Sequence, residues 1–302
     1  MTFETKKSLF ADRIYPAVIT PFTQDGNVNR DAMLALMSRC CDEGARGLFI
    51  GGSSAECFLM SHKERMETFE IASGMKPRAT LIAHVGTFAT KEAVEYAKYA
   101  KELGYDGIAA TPPFYYGFDS AAISRYYYDI YEAVEMPLFV YNFPGNTGKD
   151  FNLSDPNYIE LFKSGVIAGV KHTNQIVYQL ERFKHLNPEL ILLNGYDETM
   201  IAALSLGADG AVGSTFNFMY PHYALIYDAF KAGDIERARQ LQVKANNIMN
   251  VCVDAGLFPA IKYILNKQGI DAGLPRKPFL PLGEDAKARI DAVLAENLVT
   301  LR

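Results

Sequence analysis

The chain has 302 residues, 49% of them hydrophobic, and a formal net charge of -5 at pH 7. That length accommodates one large barrel or two ordinary domains, and the composition is that of a soluble globular protein. Lys and Arg form no block, which argues against a nucleic-acid surface, because phosphate binding leans on clustered cations. Residues 1–12 are polar and no apolar span reaches bilayer length, which points to the cytoplasm. Cys40 and Cys41 are adjacent, Cys57 and Cys252 are isolated, and no CxxC pair occurs, so the thiols read as reduced, without a zinc knuckle or disulfide framework.

Short apolar runs at residues 14–20, 48–50, 80–84, 107–110, 138–141, 166–170, 190–193 and 210–212 alternate with longer helical patterns. Their recurrence, roughly every 20 to 35 residues, is the spacing at which a strand, a helix and two loops fit. Ser61-His62-Lys63-Glu64 has the pattern of a capping box, and Asn29, Thr90 and Ser120 each stand just before an amphipathic run. Gly44, Gly104 and Gly207 sit where helices should stop. Eight β/α units in series predict an α/β protein with a parallel (β/α)8 TIM barrel over residues 13–220. An open doubly wound sheet usually shows a GxGxxG turn after its first strand, and here that turn reads Thr20-Pro21-Phe22-Thr23. Beyond residue 220 the strand signals stop. Residues 223–268 read as helices broken at Ala232-Gly233-Asp234, and a further helix is expected near 284–297. Residues 221–302 are thus expected to form a C-terminal helical extension packed on the barrel, and with no low-complexity linker the chain reads as one domain.

Function in such a barrel belongs at the carboxyl ends of the strands. The sixth run ends in Lys171, followed by His172-Thr173-Asn174. Desolvating an ammonium is costly unless the site neutralises or pairs it, and a lysine kept as free amine can add to a carbonyl to form a Schiff base. A lysine at a strand end also commonly snorkels to water. Tyr141 ends the neighbouring fifth run, where a phenol beside the amine could relay the protons of imine chemistry or simply cap the core. The Gly51-Gly52-Ser53-Ser54-Ala55-Glu56 turn offers hydroxyl and backbone N–H donors to an anion such as a carboxylate, or is an ordinary loop with a helix-capping serine pair. In Asn194-Gly195-Tyr196-Asp197-Glu198, Asp197 and Glu198 add acceptors suited to sugar hydroxyls or are only dipole partners at a helix start, and Ser214, in Gly213-Ser214-Thr215-Phe216-Asn217, is another hydroxyl reader or a cap. Thr111-Pro112-Pro113-Phe114-Tyr115-Tyr116-Gly117-Phe118 carries too many aromatics for a loop facing only water, which burial against another subunit would explain.

With these motifs in order, the chain resembles the dihydrodipicolinate synthase / N-acetylneuraminate lyase family of class I, Schiff-base aldolases, over about residues 14–282. The turn at 51–56 resembles the family's GGSTGE, Thr111 to Tyr116 its TPxYY, Tyr141-Asn142-Phe143-Pro144 its YNxP, and Gly169-Val170-Lys171 its GVK. The resemblance implies pyruvate held as an imine on Lys171, Tyr141 as proton shuttle, and Ser53 and Ser54 on the pyruvate carboxylate. It further implies a homotetramer in which Tyr115 reaches a neighbouring subunit's site, and no metal or other cofactor. Asn146 stands where the synthase branch usually has an arginine for a second carboxylate, which argues against that branch. Thr173, Gly195, Tyr196, Asp197, Glu198 and Ser214 resemble the branch that reads a sialic acid's hydroxyls, and Phe258 falls where that branch has an aromatic near the glycerol tail. The implied reaction is reversible retro-aldol cleavage of a sialic acid to an N-acetylated sugar and pyruvate. Ala55 replaces the usual glycine and Ser54 the usual threonine, though a serine keeps the hydroxyl.

Three rivals stand beside this reading. One is another pyruvate-dependent aldolase or dehydratase of a 2-keto-3-deoxy sugar acid. A second is a metal-dependent aldolase using His84, His172, Asp197 and Glu198, disfavoured because the histidines lack HxxxH spacing. The third is a catalytically silent pyruvate or sialic acid sensor, against which the joint presence of Lys171 and Tyr141 speaks.

Overall fold

A computed structural model describes residues 2–299. Its strands are β1 (Arg13–Pro16), β2 (Gly47–Ile50), β3 (Thr80–His84), β4 (Gly107–Ala110), β5 (Leu138–Asn142), β6 (Ile167–His172), β7 (Ile191–Asn194) and β8 (Gly210–Gly213). They form one eight-stranded sheet in the order β1-β8-β7-β6-β5-β4-β3-β2, with parallel pairing from β3 through β8 and helices between strands. This is the strand order of a (β/α)8 barrel, and helices follow it to residue 297.

The described residues divide into two compact units, one of residues 2–13 and 80–212, the other of residues 14–79 and 213–299. In the first, β3 to β7 are buried along their whole length, which is why they read as near-continuous apolar runs. β5 and β6 run one or two residues beyond the apolar runs, because Tyr141 pairs with Lys171 and Asn142 with His172 in the ladder. Gly169 has a packing reason: a Cβ there would meet the Ile191 carbonyl oxygen at 2.2 Å and the Phe139 ring at 2.6 Å. The helix Phe3–Phe10 inserts Phe10 edge-on against Phe139, 5.1 Å between centroids, and Asp12 N–H donates to the Asp209 carbonyl at 2.7 Å.

In the second unit the first apolar run behaves differently from its sequence reading. Strand pairing stops at Pro16 instead of continuing to residue 20, apart from an isolated bridge of Ala17 to Phe49. Asn217 supplies the missing partners: its Oδ1 accepts Ile19 N–H at 3.2 Å and its Nδ2 donates to the Ala17 carbonyl at 2.8 Å. The helices Arg30–Asp42 and His62–Ser73 begin as expected, with Asn29 accepting from Ala32 N–H and Ser61 and Glu64 closing a reciprocal capping box. Two other start signals shift by one residue. Thr90 and Ser120 are the first helical residues, the cap before Ser120 is Asp119, and Ala89 contributes no side-chain cap. Gly44, Gly104 and Gly207 have φ of 107°, 77° and 92°, values that only glycine adopts without steric cost.

After β8 the helices start at Phe216, ahead of the helical pattern expected from residue 223. Helices Phe216–Lys231, Ile235–Ala255 and Leu257–Lys267 are separated at Gly233 (φ 80°) and at Gly256 (φ 99°), and Glu284–Asn297 follows. Among the described residues no single helix is long and apolar enough to cross a membrane.

Candidate active site

The first unit carries the amine and the phenol. Lys171 is buried and its Nζ lies 3.8 Å from the centroid of the Tyr141 ring. The register explains the contact, since directly paired residues of neighbouring parallel strands present side chains to the same face. Tyr141 is held on two sides: Phe143 stacks on it at 5.8 Å and 13°, and His84 meets it edge-on at 5.6 Å and 83°. His84 Nε2 accepts the Thr111 N–H at 3.3 Å, so this nitrogen carries no proton and the neutral ring is protonated on Nδ1. His84 was legible only as a potential metal ligand, and its role as a wall for Tyr141 needed the third dimension.

Beside them stand the expected sugar readers of this unit. Thr173 is buried with its Oγ1 lacking a hydrogen-bond partner. Gly195 faces it so closely that a Cβ would come within 1.9 Å of that oxygen, which only glycine tolerates. Asp197 is buried at the start of the short 3-10 helix Asp197–Thr199. Burial raises the pKa of the Glu198 carboxyl, opposed by a hydrogen bond from Gln175. Tyr196 sets its ring edge-on to Phe143 at 6.0 Å. Asn194, at the end of β7, donates through Nδ2 to the Tyr196 carbonyl and accepts Thr199 Oγ1 at 3.2 Å, which fixes this loop's bend. Tyr115 is not drawn in with them. It is 76% exposed, and its ring contacts are with Phe88 and Tyr116.

The second unit carries the hydroxyl pair. Ser53-Ser54-Ala55 forms a 3-10 turn, and Ser54 Oγ lies 2.6 Å from Ser214 Oγ, a bond between two candidates that no spacing in the sequence suggests. Phe258 is half-buried and packs edge-on against Phe279 at 5.3 Å. The turn is pinned from behind by Glu56, which has the left-handed φ of 60°. Its Oε1 lies 2.8 Å from Lys262 Nζ, and its Oε2 accepts the Arg276 N–H at 2.7 Å. Lys262 also donates to the Leu274 carbonyl at 3.1 Å and lies 4.1 Å from the Phe22 centroid, and its pKa is drawn down to about 8, burial outweighing the attraction of Glu56. The Arg276 guanidinium, paired with Glu64 and lying over the same Phe22 ring at 4.2 Å, holds the Glu64 carboxyl at about 2. A signal for this anchor existed: Lys262 is a lone cation in the apolar stretch LFPAIKYIL.

Among the described residues no group of three or more His, Cys, Asp or Glu is disposed to hold a metal ion. His172, one of the ligands weighed for a metal-dependent aldolase, has Nε2 3.2 Å from the Ile176 carbonyl and Nδ1 3.4 Å from Asn142 Nδ2, so both ring nitrogens are engaged with the loop and strand around it.

Comparison with known proteins bears on this arrangement. The profile of the Dihydrodipicolinate synthetase family matches residues 11–297. An N-acetylneuraminate lyase of Rhizobium meliloti (strain 1021) is 40% identical over 286 residues, 94% of this chain and 95% of that protein. Among solved structures, CdNal from Clostridium difficile in complex with mannosamine is similar with a TM-score of 0.90 and 36% identity, over 94% of this chain and 98% of that one. N-acetylneuraminate lyase from Fusobacterium nucleatum complexed with pyruvate is similar with a TM-score of 0.90 and 34% identity, over 98% of this chain and 100% of the other.

Proposed function

The chain belongs to the Dihydrodipicolinate synthetase family, and from that premise we propose that it is a carbon–carbon lyase cleaving N-acetylneuraminate reversibly to N-acetylmannosamine and pyruvate through an imine on Lys171. The observation that carries the reading is the buried amine of Lys171 held over the Tyr141 ring at 3.8 Å. The relatives named above supply the substrate: one is a lyase of N-acetylneuraminate, one was solved with mannosamine and one with pyruvate.

The Lys171 amine adds to C2 of the open-chain 2-keto acid, and loss of water leaves an iminium. The C4 hydroxyl gives up its proton, relayed through Tyr141 and the substrate carboxylate. The C3–C4 electron pair then flows into the iminium, releasing N-acetylmannosamine as the aldehyde and leaving the enamine of pyruvate. Protonation at C3 and addition of water return pyruvate and the free amine. The iminium is the electron sink, so the reaction calls on no metal and no further cofactor. Ser53 and Ser54 hold the carboxylate of the pyruvyl part. Thr173, Gly195, Tyr196, Asp197, Glu198 and Ser214 read the sugar hydroxyls, and Phe258 lies near the glycerol tail. In the Arg-for-second-carboxylate position stands Asn146, which suits a neutral sugar chain better than an acidic partner.

The exposed Tyr115, with Tyr116 and Phe88 in ring contact beside it, fits a surface covered by a second copy, and we assign the enzyme to a homotetramer in which Tyr115 completes a neighbouring site. Four free cysteines fit the reducing cytoplasm. Borohydride reduction during incubation with N-acetylneuraminate, followed by peptide mapping, tests the central reading. A pyruvyl-sized adduct on Lys171 supports it. Labelling by free pyruvate alone would retain the imine chemistry and pass the substrate to another 2-keto-3-deoxy sugar acid.

A further inference from the structure

Behind Lys171 and Tyr141, the next residue of each strand enters a closed ring of hydrogen bonds. Asn142 Nδ2 donates to Asp150 Oδ1 at 3.0 Å and lies 3.4 Å from His172 Nδ1. His172 Nε2 lies 3.2 Å from the Ile176 carbonyl. Ile176 N–H donates to Asn174 Oδ1 at 3.0 Å, Asn174 Nδ2 to Gln179 Oε1 at 2.9 Å, and Gln179 Nε2 to Asp150 Oδ2 at 3.0 Å, which closes the circuit. Phe151 N–H adds a bond to Asp150 Oδ1 at 2.9 Å. Thr173 N–H donates to the Asn142 carbonyl and Gly195 N–H to the His172 carbonyl, both at 2.8 Å, so the ring also fixes the two residues expected to read the sugar.

The donors can run in only one sense. The Ile176 carbonyl only accepts, so His172 Nε2 carries the proton and Nδ1 accepts from Asn142. Asp150 only accepts, so Asn142 and Gln179 must turn their NH2 groups toward it. Ile176 N–H only donates, so Asn174 must turn its oxygen to that N–H and its NH2 to Gln179. An amide flip at any one member pushes a donor–donor or acceptor–acceptor conflict round the ring until it meets a backbone group or the carboxylate, neither of which can flip. Asn142 even leaves its Oδ1 buried without a partner to keep this orientation, a cost a freely turning amide would avoid.

We propose that Asp150, Asn142, His172, Asn174 and Gln179 form a positioning clamp that sets Lys171 against Tyr141 for imine formation. This rests on the reading of Lys171 as the imine-forming residue. None of the five touches the reacting atoms. They act by holding the backbone of β5 and β6 one residue beyond the reactive pair, and a displacement there of about an ångström is enough to cost about a hundredfold in rate.

The clamp makes a specific demand on charge and donor count, which an exchange experiment reads. Asp150→Asn places an NH2 against the Gln179 NH2, and every flip that relieves this clash creates another: turning Gln179 and then Asn174 carries it to Ile176 N–H, and turning the new amide sets its NH2 against Phe151 N–H and Asn142 Nδ2. Adding Gln179→Glu restores each bond. The amide introduced at position 150 turns its oxygen to Asn142 Nδ2 and Phe151 N–H, and the carboxylate introduced at position 179 accepts from that amide and from Asn174 Nδ2. The measurement is the rate constant for trapping pyruvate on Lys171 with borohydride, separated from the amplitude of trapping. A folding defect lowers amplitude and leaves the rate constant of the surviving sites unchanged, whereas a mispositioned amine lowers the rate constant. We expect D150N to slow adduct formation about tenfold with amplitude retained, and D150N/Q179E to return to within about threefold of the wild type. Asn174→Asp, which reverses the donor sense at the other end of the ring, should slow it similarly and serves where D150N folds poorly. A wild-type rate constant in D150N and N174D, a loss confined to amplitude, or a double variant no faster than the single overturns the clamp. Failure of the wild-type protein to trap pyruvate on Lys171 overturns instead the reading on which it rests, and the clamp with it.

Discussion

Replacing Lys262 by methionine removes one partner of a pair whose side chains are 2% and 0% exposed and whose charged atoms are 2.8 Å apart. At an effective dielectric of about 20, that separation corresponds to roughly 6 kcal/mol of attraction, most of which offsets the cost of taking both ions from water. The pair as a whole is therefore close to neutral for stability, but a Glu56 carboxylate left buried without its cation is not, and such a loss costs about 3–5 kcal/mol. With an unfolding entropy of roughly 0.6 kcal/mol/K for a chain of this length, melting should fall by about 5–8 °C. Glu56→Gln is expected to be milder, because the Lys262 pKa is already down at about 8 and the amine can shed its proton when the carboxylate is gone. The amide that replaces the carboxylate also keeps an acceptor for Arg276 N–H. The double variant E56Q/K262M, having no buried charge at the pair, should melt above K262M. Thermal melts of the four proteins at pH 7 form a double-mutant cycle. A K262M protein as stable as E56Q, or a double variant that falls by the sum of the singles, refutes this account of the pair.

Other consequences are as concrete. Burial lowers the pKa values of His172 and His222 below the usual imidazole value, so the folded state binds fewer protons than the unfolded chain. Their contribution is complete above about pH 6.5 and is lost as pH falls through the lowered folded-state values; denaturant melts at about pH 7.5 and 5.5 should show a smaller loss in His222→Gln than in the wild type. Gly195→Ala drives a methyl to 1.9 Å from Thr173 Oγ1, and either that side chain or the backbone must move. A fall of at least about tenfold in kcat/KM for N-acetylneuraminate is expected, with pyruvate trapping less affected, and equal kinetics in the variant would remove Thr173 from the sugar-reading set. Ser214→Ala deletes the 2.6 Å partner of Ser54, and the KM for N-acetylneuraminate should rise about tenfold, the worth of one hydrogen bond of about 1.4 kcal/mol. An unchanged KM would show that the Ser54–Ser214 bond is packing alone.

The strands and most helix boundaries were open to sequence reading because their causes are local. An all-apolar run such as ILLN reports burial on both faces, and a serine followed by glutamate at the third position closes its own cap. The misplacements have physical causes too: Asp119 competes successfully with Ser120 for the cap, and residues 17–19 exchange strand pairing for the side chain of Asn217, almost 200 positions away.

By itself the sequence determined that eight buried strands alternate with helices and that a lysine, a tyrosine and a glycine-serine turn follow three of them. Periodicity and strand-end position are one-dimensional facts, and the barrel rule turns them into an expectation of function at the carboxyl ends of the strands. Only the tertiary structure decided that the phenol ring lies under the amine, that His84 and Phe143 wall it in, and that Ser54 and Ser214 are bonded to each other. Only there does Glu56 find Lys262, and the amides behind β5 and β6 close on Asp150 in a single donor sense. Hydrogen bonds and ion pairs are satisfied over about 3 Å in space without regard to distance along the chain, so their partners are settled by packing and leave no period to read.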